Sequence, residues 1–205
     1  VSTVALGMGF DKPDLGYVVH FQRPSSVIAY YQQIGRAGRA LDRAEVVLLT
    51  GVEDDDIAEF FIAEAFPPND VMQAILAATE PDDGATKAAI EAEVNAKPAT
   101  IERGLKLLEV DGAIARDRRV WHRTPNPWVP DTERIENVTA ARLAELERMR
   151  DFVATDGCLM EFVTNELDGP DAGPCGRCAN CVGPFAAADL DSTLLDEANV
   201  FLKRA

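Results

Sequence analysis

Over the first 66 residues the apolar positions come in short runs: TVALG at 3–7, YVVHF at 17–21 and EVVLLT at 45–50. Between them lie a loop, MGFDKPDLG, a helical stretch, SVIAYYQQI, and a turn, GRAGRA. Runs this short and rich in Val suit strands covered on both faces, so an α/β unit built on a parallel sheet is predicted, closed by a helix from Glu53 to Phe66.

Pro67, Pro68 and Asn69 punctuate the chain, and the pattern behind them turns helical. Three helices are predicted within 69–81, 86–96 and 98–113. Leu105, Leu107, Leu108 and Val110 are expected to supply core, and AIARDRRVWHRT (113–124) reads as a two-stranded wing. A winged-helix-like domain over 67–130 is the favoured reading, and a plain helical insertion packed on the first domain is the other. A long charged helix then runs from Asp131 to Ala154, where Gly157 breaks it. A second helix, CLMEFVTNEL, and a Gly/Pro-rich loop with three cysteines complete a segment over 131–186, and 187–205 begins a further helix or tail.

Composition bounds these elements without redirecting them. With 205 residues, 47% of them hydrophobic, the chain has enough apolar surface for a substantial core in one or two domains. No apolar run approaches the roughly 18 residues that a membrane span needs. The opening VSTVALGMGF lacks an initiator Met and reads as the inside of a strand, so the chain is expected to begin within a domain, and the lack of a targeting signal is uninformative. The net charge of −15 argues against a broad surface for nonspecific nucleic-acid binding. Any such contact is expected from local basic islands or from portions outside the chain.

Two front motifs carry chemistry. Gln32, Gly35, Arg36, Gly38 and Arg39 form Q-x-x-G-R-x-G-R: glycines tighten a turn while two arginines project from a helix end. A guanidinium is a planar fork of donors whose charge does not titrate, which suits the charge of a transferring γ-phosphoryl group. In isolation the string could also be a surface turn with solvated arginines. Upstream, Thr3, Gly7, Gly9 and Asp11 lie where a strand enters a glycine-bearing loop, the edge at which open α/β sheets bind ligands. There backbone amides can approach a phosphate, Thr3 offers a hydroxyl, and Asp11 can accept from a sugar hydroxyl.

TVALGMGFDKPD, YVVHF and YYQQIGRAGR together resemble motifs V and VI of the RecQ family of DNA helicases. The resemblance implies that Thr3 touches the backbone of the tracking strand and that Asp11 helps hold the ribose. It also implies that Gln32 senses the γ-phosphate or its water, and that Arg36 and Arg39 act as arginine fingers. ATP with Mg²⁺ would sit between two RecA-like domains, of which this chain supplies part of the second. The N-terminal RecA-like domain is then a partner lying outside it. DNA, single-stranded or as a 3′-tailed duplex, is the implied substrate, and 3′-to-5′ unwinding in repair or recombination the implied activity. Neither G-x-x-x-x-G-K-[ST] nor D-E-x-H occurs here, so the chain alone is expected neither to hydrolyse ATP nor to unwind DNA.

Cys158, followed by C-G-R-C-A-N-C with Cys175, Cys178 and Cys181, offers four thiolates for a closed tetrahedral site, with Gly176 permitting a tight knuckle. A structural Zn²⁺ that clamps a helix to a loop is predicted, in the cytoplasm. Disulfides or redox thiols are the alternatives. A helix-borne Cys before such a knuckle is also similar to the zinc-binding region of RecQ helicases. The order departs from the commonest family pattern, in which a winged helix follows the zinc region.

Arg116, Arg118, Arg119, Trp121, His122 and Arg123 form the compact basic and aromatic island of an acidic chain. Arg119, Trp121 and Arg123 are candidates for DNA contact, the indole stacking on a base at about 1–3 kcal/mol. The bland alternative, slightly favoured, is a solvated hairpin whose Trp packs on the core. His20 reads as a packed structural residue, and the acidic run from Glu53 to Asp56 as a helix N-terminus. Two rival functions stand beside the helicase: a nucleic-acid-dependent ATPase that does not unwind DNA, and a non-enzymatic zinc and winged-helix DNA-binding protein.

Overall fold

The computed structural model describes residues 12–80, 83–170, 173–184 and 191–202. The fold is α/β with small sheets and mostly helical content. It divides into two compact units, one made of the residues up to Gly16, Ser26–Ala44 and the chain from Arg148 onward, the other of Tyr17–Ser25 and Glu45–Glu147.

In the second unit, strands β1 (Tyr17–His20) and β2 (Glu45–Leu48) pair in parallel, with Tyr17 opposite Glu45 and His20 opposite Leu48. This is the parallel pairing the short Val-rich runs predict. TVALG lies outside the described residues. Helix α2 (Glu53–Ala63) follows. Asp54 is buried and accepts from the amide of Gly51 at 3.0 Å, and Asp55 pairs with the buried guanidinium of Arg23. The acidic run is thus part helix start and part anchor, and its pairing with Arg23 has no signal in the local sequence.

Helix α3 (Asn69–Ala78), a two-residue strand β3 (Ala85–Thr86), α4 (Lys87–Glu93) and α5 (Pro98–Val110) come next, then the hairpin of β4 (Ile114–Asp117) and β5 (Val120–Arg123). Thr86 caps α4 by accepting from Ala89, and Pro98 opens α5, where its missing N–H costs nothing. The three strands form an antiparallel sheet in the order β3-β5-β4. Ile101, Gly104, Leu105 and Leu108 repeat at helical spacing and carry α5 into a core with Met72, Ile75, Leu76, Ile90, Ile114 and Trp121. Leu107 is half-buried. Val110, an expected core residue, falls off that stripe and is 78% exposed.

In the first unit, helix α1 (Val27–Ile34) starts at Ser26, whose hydroxyl accepts from the amide of Ala29 at 3.1 Å. Tyr30 stacks on Phe152 of α6 (Thr132–Ala154) with centroids 5.0 Å apart, and Phe152 meets Phe162 of α7 (Leu159–Glu166) edge-on at 5.5 Å. Burial pushes the Tyr30 hydroxyl up to about 12. Arg148 lies over the Phe162 ring at 4.7 Å and pairs with Asp151 and Glu166, bracing the two helices. Short helix α8 (Ala179–Val182) and helix α9 (Ser192–Leu202) complete the described chain.

Candidate nucleotide face and metal centre

The glycine–arginine turn leaves the C-terminus of α1. Gly35 caps that helix by donating to Tyr31 O at 2.9 Å, and the next two amides, of Arg36 and Ala37, bond back to Gln33 and Ile34 at 3.2 and 3.0 Å. Gly38 has φ +73°, a left-handed conformation that glycine adopts without Cβ strain. Its amide donates to Leu15 O at 2.9 Å, and the amide of Ala40 donates to Pro13 O at 2.9 Å.

Both glycine amides are therefore engaged by backbone carbonyls, that of Gly35 within its own helix end and that of Gly38 by Leu15. Gly38 supplies the left-handed conformation of the turn, whereas Gly35 has φ −64°. Arg36 is half-buried, Gln32 and Arg39 are exposed, and Arg39 Nε donates to Gly35 O at 3.3 Å. Gln32 thus lies in the last turn of α1, directly before the turn that carries Arg36 and Arg39. Thr3, Gly7, Gly9 and Asp11 lie outside the described residues.

The four cysteines converge, with all four sulfurs within 4.8 Å of one another. Cys158 is the N-cap of α7 rather than a residue inside a helix, and Cys178 is the N-cap of α8. Gly176 is left-handed at φ +66°, the turn the knuckle requires. The Cys178 and Cys158 sulfurs are 3.9 Å apart, close to the edge of about 3.8 Å that Zn–S bonds near 2.3 Å impose on a tetrahedron. All four are free thiols, so the disulfide alternative does not describe this geometry.

Burial opposes ionisation of Cys158 and Cys178. Amides outweigh it: those of Cys175 and Glu161 lower the Cys158 thiol, and that of Leu159, with the neighbouring thiols, brings Cys178 down to about 6. At Cys181 the amide of Gly176 favours the thiolate, but the crowded neighbouring sulfurs prevail and push it up to about 11. The cluster thus resists carrying four negative charges by itself, and a divalent soft-acid cation is the complement it fits. Asn180 braces the knuckle, donating through Nδ2 to Thr155 O and Gly157 O at 2.7 and 2.8 Å. Sequence reasoning missed this residue, whose one clue is its place inside the C-x-x-C-x-x-C string.

The basic and aromatic island separates in three dimensions. Trp121 is 7% exposed within the core, and the Arg116 guanidinium lies 5.3 Å from its ring centroid. Arg123 turns inward, with Nη1 donating to Ala113 O at 2.6 Å. Trp121 is thus packed, as in the solvated-hairpin alternative, and the Arg123 guanidinium is engaged by a backbone carbonyl. Arg118, left-handed at φ +54°, and Arg119 stay exposed at the hairpin tip.

Comparison with known proteins places the front segment among helicases. The family described as Helicase conserved C-terminal domain matches residues 1–41. ATP-dependent DNA helicase RecQ of Synechocystis is 38% identical over 72 residues, 32% of this chain and 15% of its own length. RecQ-like DNA helicase BLM of Xenopus laevis is 47% identical over 53 residues, 26% of this chain and 4% of its own. A protein of Acanthamoeba polyphaga mimivirus, provisionally named an ATP-dependent RNA helicase, is 39% identical over 69 residues, 34% of this chain and 13% of its own. The chain thus spans a small part of each relative.

Proposed function

We propose, on the premise that the chain is a RecQ-family helicase C-terminal region, that it supplies one wall of an ATP site in a protein coupling hydrolysis to 3′-to-5′ DNA strand separation in repair or recombination. The observation that carries this reading is the turn after α1. There a half-buried Arg36 and an exposed Arg39 flank a left-handed Gly38 inside the matched segment. Arg36 neutralises charge that develops on the transferring γ-phosphoryl, Arg39 supports it, and Gln32 orients the attacking water. Asp11 holds the ribose and Thr3 the tracking strand. ATP and Mg²⁺ are bound opposite, by an N-terminal RecA-like domain outside this chain, so the chain alone is inactive.

The region 67–130 acts as a winged-helix-like domain, supported by its order of helix, short strand, two helices and hairpin. Its DNA contact is confined to the exposed hairpin tip at Arg119. Cys158, Cys175, Cys178 and Cys181 hold one structural Zn²⁺, which adds binding free energy to folding. The protein works in the cytoplasm.

The test is ATP hydrolysis by the complete protein with and without single-stranded DNA, comparing wild type with Arg36→Ala. DNA-stimulated hydrolysis that falls by about 10³-fold or more in the variant supports the reading. Undiminished hydrolysis in the variant sinks it. The mimivirus relative motivates a second reading, a motor driven by RNA, and stimulation by RNA in place of DNA would select it.

A further inference from the structure

We infer that Gly38 is a positioning residue that stitches the arginine-bearing turn to the Pro13–Leu15 segment, setting where Arg36 and Arg39 stand relative to the loop that follows Asp11 in sequence. This rests on the ATP-site reading above and extends it from the residues that touch nucleotide to one that fixes their placement.

Two backbone bonds, Gly38 N–H to Leu15 O and Ala40 N–H to Pro13 O, both 2.9 Å, join the segments two residues apart on each side. Such a pair fixes separation and twist together, where a single bond would leave a pivot. The arrangement needs φ +73° at the residue between the two arginines, and a Cβ placed there would stand 3.1 Å from the Ala44 Cβ, tighter than ordinary contact. A side chain at 38 therefore meets both backbone strain and a neighbour, and the segment relaxes by giving up one or both bonds. Gly35 closes the other side as the helix cap, with Arg39 Nε on its carbonyl, so the α1 end of the turn is pinned as well. Arg36 and Arg39 belong to this rigid piece, and a shift near 1 Å in such groups costs roughly 100-fold in rate.

The experiment compares wild type, Arg36→Ala, Gly38→Ala and Gly38→Asn in the complete protein, measuring kcat and KM for ATP at saturating single-stranded DNA, DNA affinity, and the folded fraction. Asn accepts the left-handed region better than Ala, while both bring the same Cβ toward Ala44. The expected result is a kcat/KM for Gly38→Ala lowered roughly 10- to 100-fold, through a higher KM and a lower kcat, with DNA affinity unchanged. Gly38→Asn is expected to recover much of that loss, and Arg36→Ala to lose kcat with KM little changed. Wild-type kcat and KM in the folded fraction of Gly38→Ala, or a loss that Asn does not lessen, would overturn the positioning role. Arg36→Ala hydrolysing ATP like wild type would remove the underlying reading, whereas an inactive Arg36→Ala beside an intact Gly38→Ala removes the stitch alone.

Discussion

Replacing Trp121 by Ala separates a packed hairpin from a base-stacking one. The indole is 7% exposed and lies among Leu105, Leu108 and Ile114 in the core, with Arg116 over its ring. An aromatic of this size buries about 150–250 Å², which at ~25 cal/mol per Å² is roughly 4–6 kcal/mol. Large-to-small aromatic substitutions cost about 3–5 kcal/mol, the range expected for an indole on the central strand of the sheet. Against a total stability of about 5–15 kcal/mol, such a loss brings this unit near unfolding at moderate temperature. Thermal unfolding followed by fluorescence of the remaining Trp128, held by Asp111 at 3.0 Å, would report it. Arg119→Ala, on the exposed tip, should change stability by less than about 0.5 kcal/mol. Under the DNA-contact proposal it should also lower the salt dependence of DNA affinity by about one counterion. If Trp121→Ala kept its unfolding temperature while abolishing DNA binding, the indole would be a recognition surface and the packing argument would be wrong.

Three further outcomes follow from particular contacts. A methyl added at Gly104 would stand 2.5 Å from Ile75 Cδ1 and 3.3 Å from Met72 Sδ; Gly104→Ala should therefore be destabilising despite about 1 kcal/mol of helix propensity gained. Ile75→Val should relieve it, and strict additivity in urea unfolding of the double variant would contradict the crowding. Purified protein should carry close to one zinc per chain, lost in Cys178→Ser. Because Cys181 is raised to about 11 and must shed its proton to ligate, chelator competition should show affinity rising with pH, and a flat profile would exclude a four-thiolate site. Hydrogen bonds from Lys106 and Lys87 hold the Glu102 carboxyl down at about 2. A lowered folded value means that its contribution is complete above the unfolded value near 4.5 and fades as pH falls toward about 2. Being solvent-exposed and screened, it contributes little to stability. A carboxyl titration midpoint near 4.5 by NMR would show the pairs are not populated.

What could be read from the sequence was whatever depends on neighbours along the chain. The parallel pairing of Tyr17–His20 with Glu45–Leu48, the helix stop at Gly35 and the knuckle turn at Gly176 each follow from residue type at fixed spacing. Failures came where spacing permits two answers and packing chooses. Val110 is apolar and helical like Leu108, yet two residues turn it about 200° to the solvent side. Arg118 and Arg119 sit in the turn between β4 and β5 while Trp121 lies on β5 against the core, so a linear cluster of basic and aromatic residues divides between solvent and core. The strand β3 is two residues long, too short for any periodicity, and exists because β5 offers an edge to pair with.

Under the proposed function, the division of the hairpin also bears on how so acidic a chain would meet DNA. With a net charge of −15, long-range attraction to a polyanion is absent, and contact depends on cations that are exposed and not already engaged by the protein. Arg116 is held over an indole and by the Arg118 carbonyl, and Arg123 by the carbonyl of Ala113, just before β4. Lys87 and Lys106 are both bound to Glu102. Among these cations of the hairpin and α4–α5, Arg118 and Arg119 are left to meet phosphate. Two charges give a salt slope near two, too shallow for tight binding by this region alone. On the proposed helicase reading, strand engagement in the complete protein would be dominated by surfaces other than this hairpin. Removing both Arg118 and Arg119 should shift the salt dependence of DNA binding by at most about two while leaving most of the affinity at low salt; collapse of binding to the nonspecific level would place the main grip on the hairpin after all.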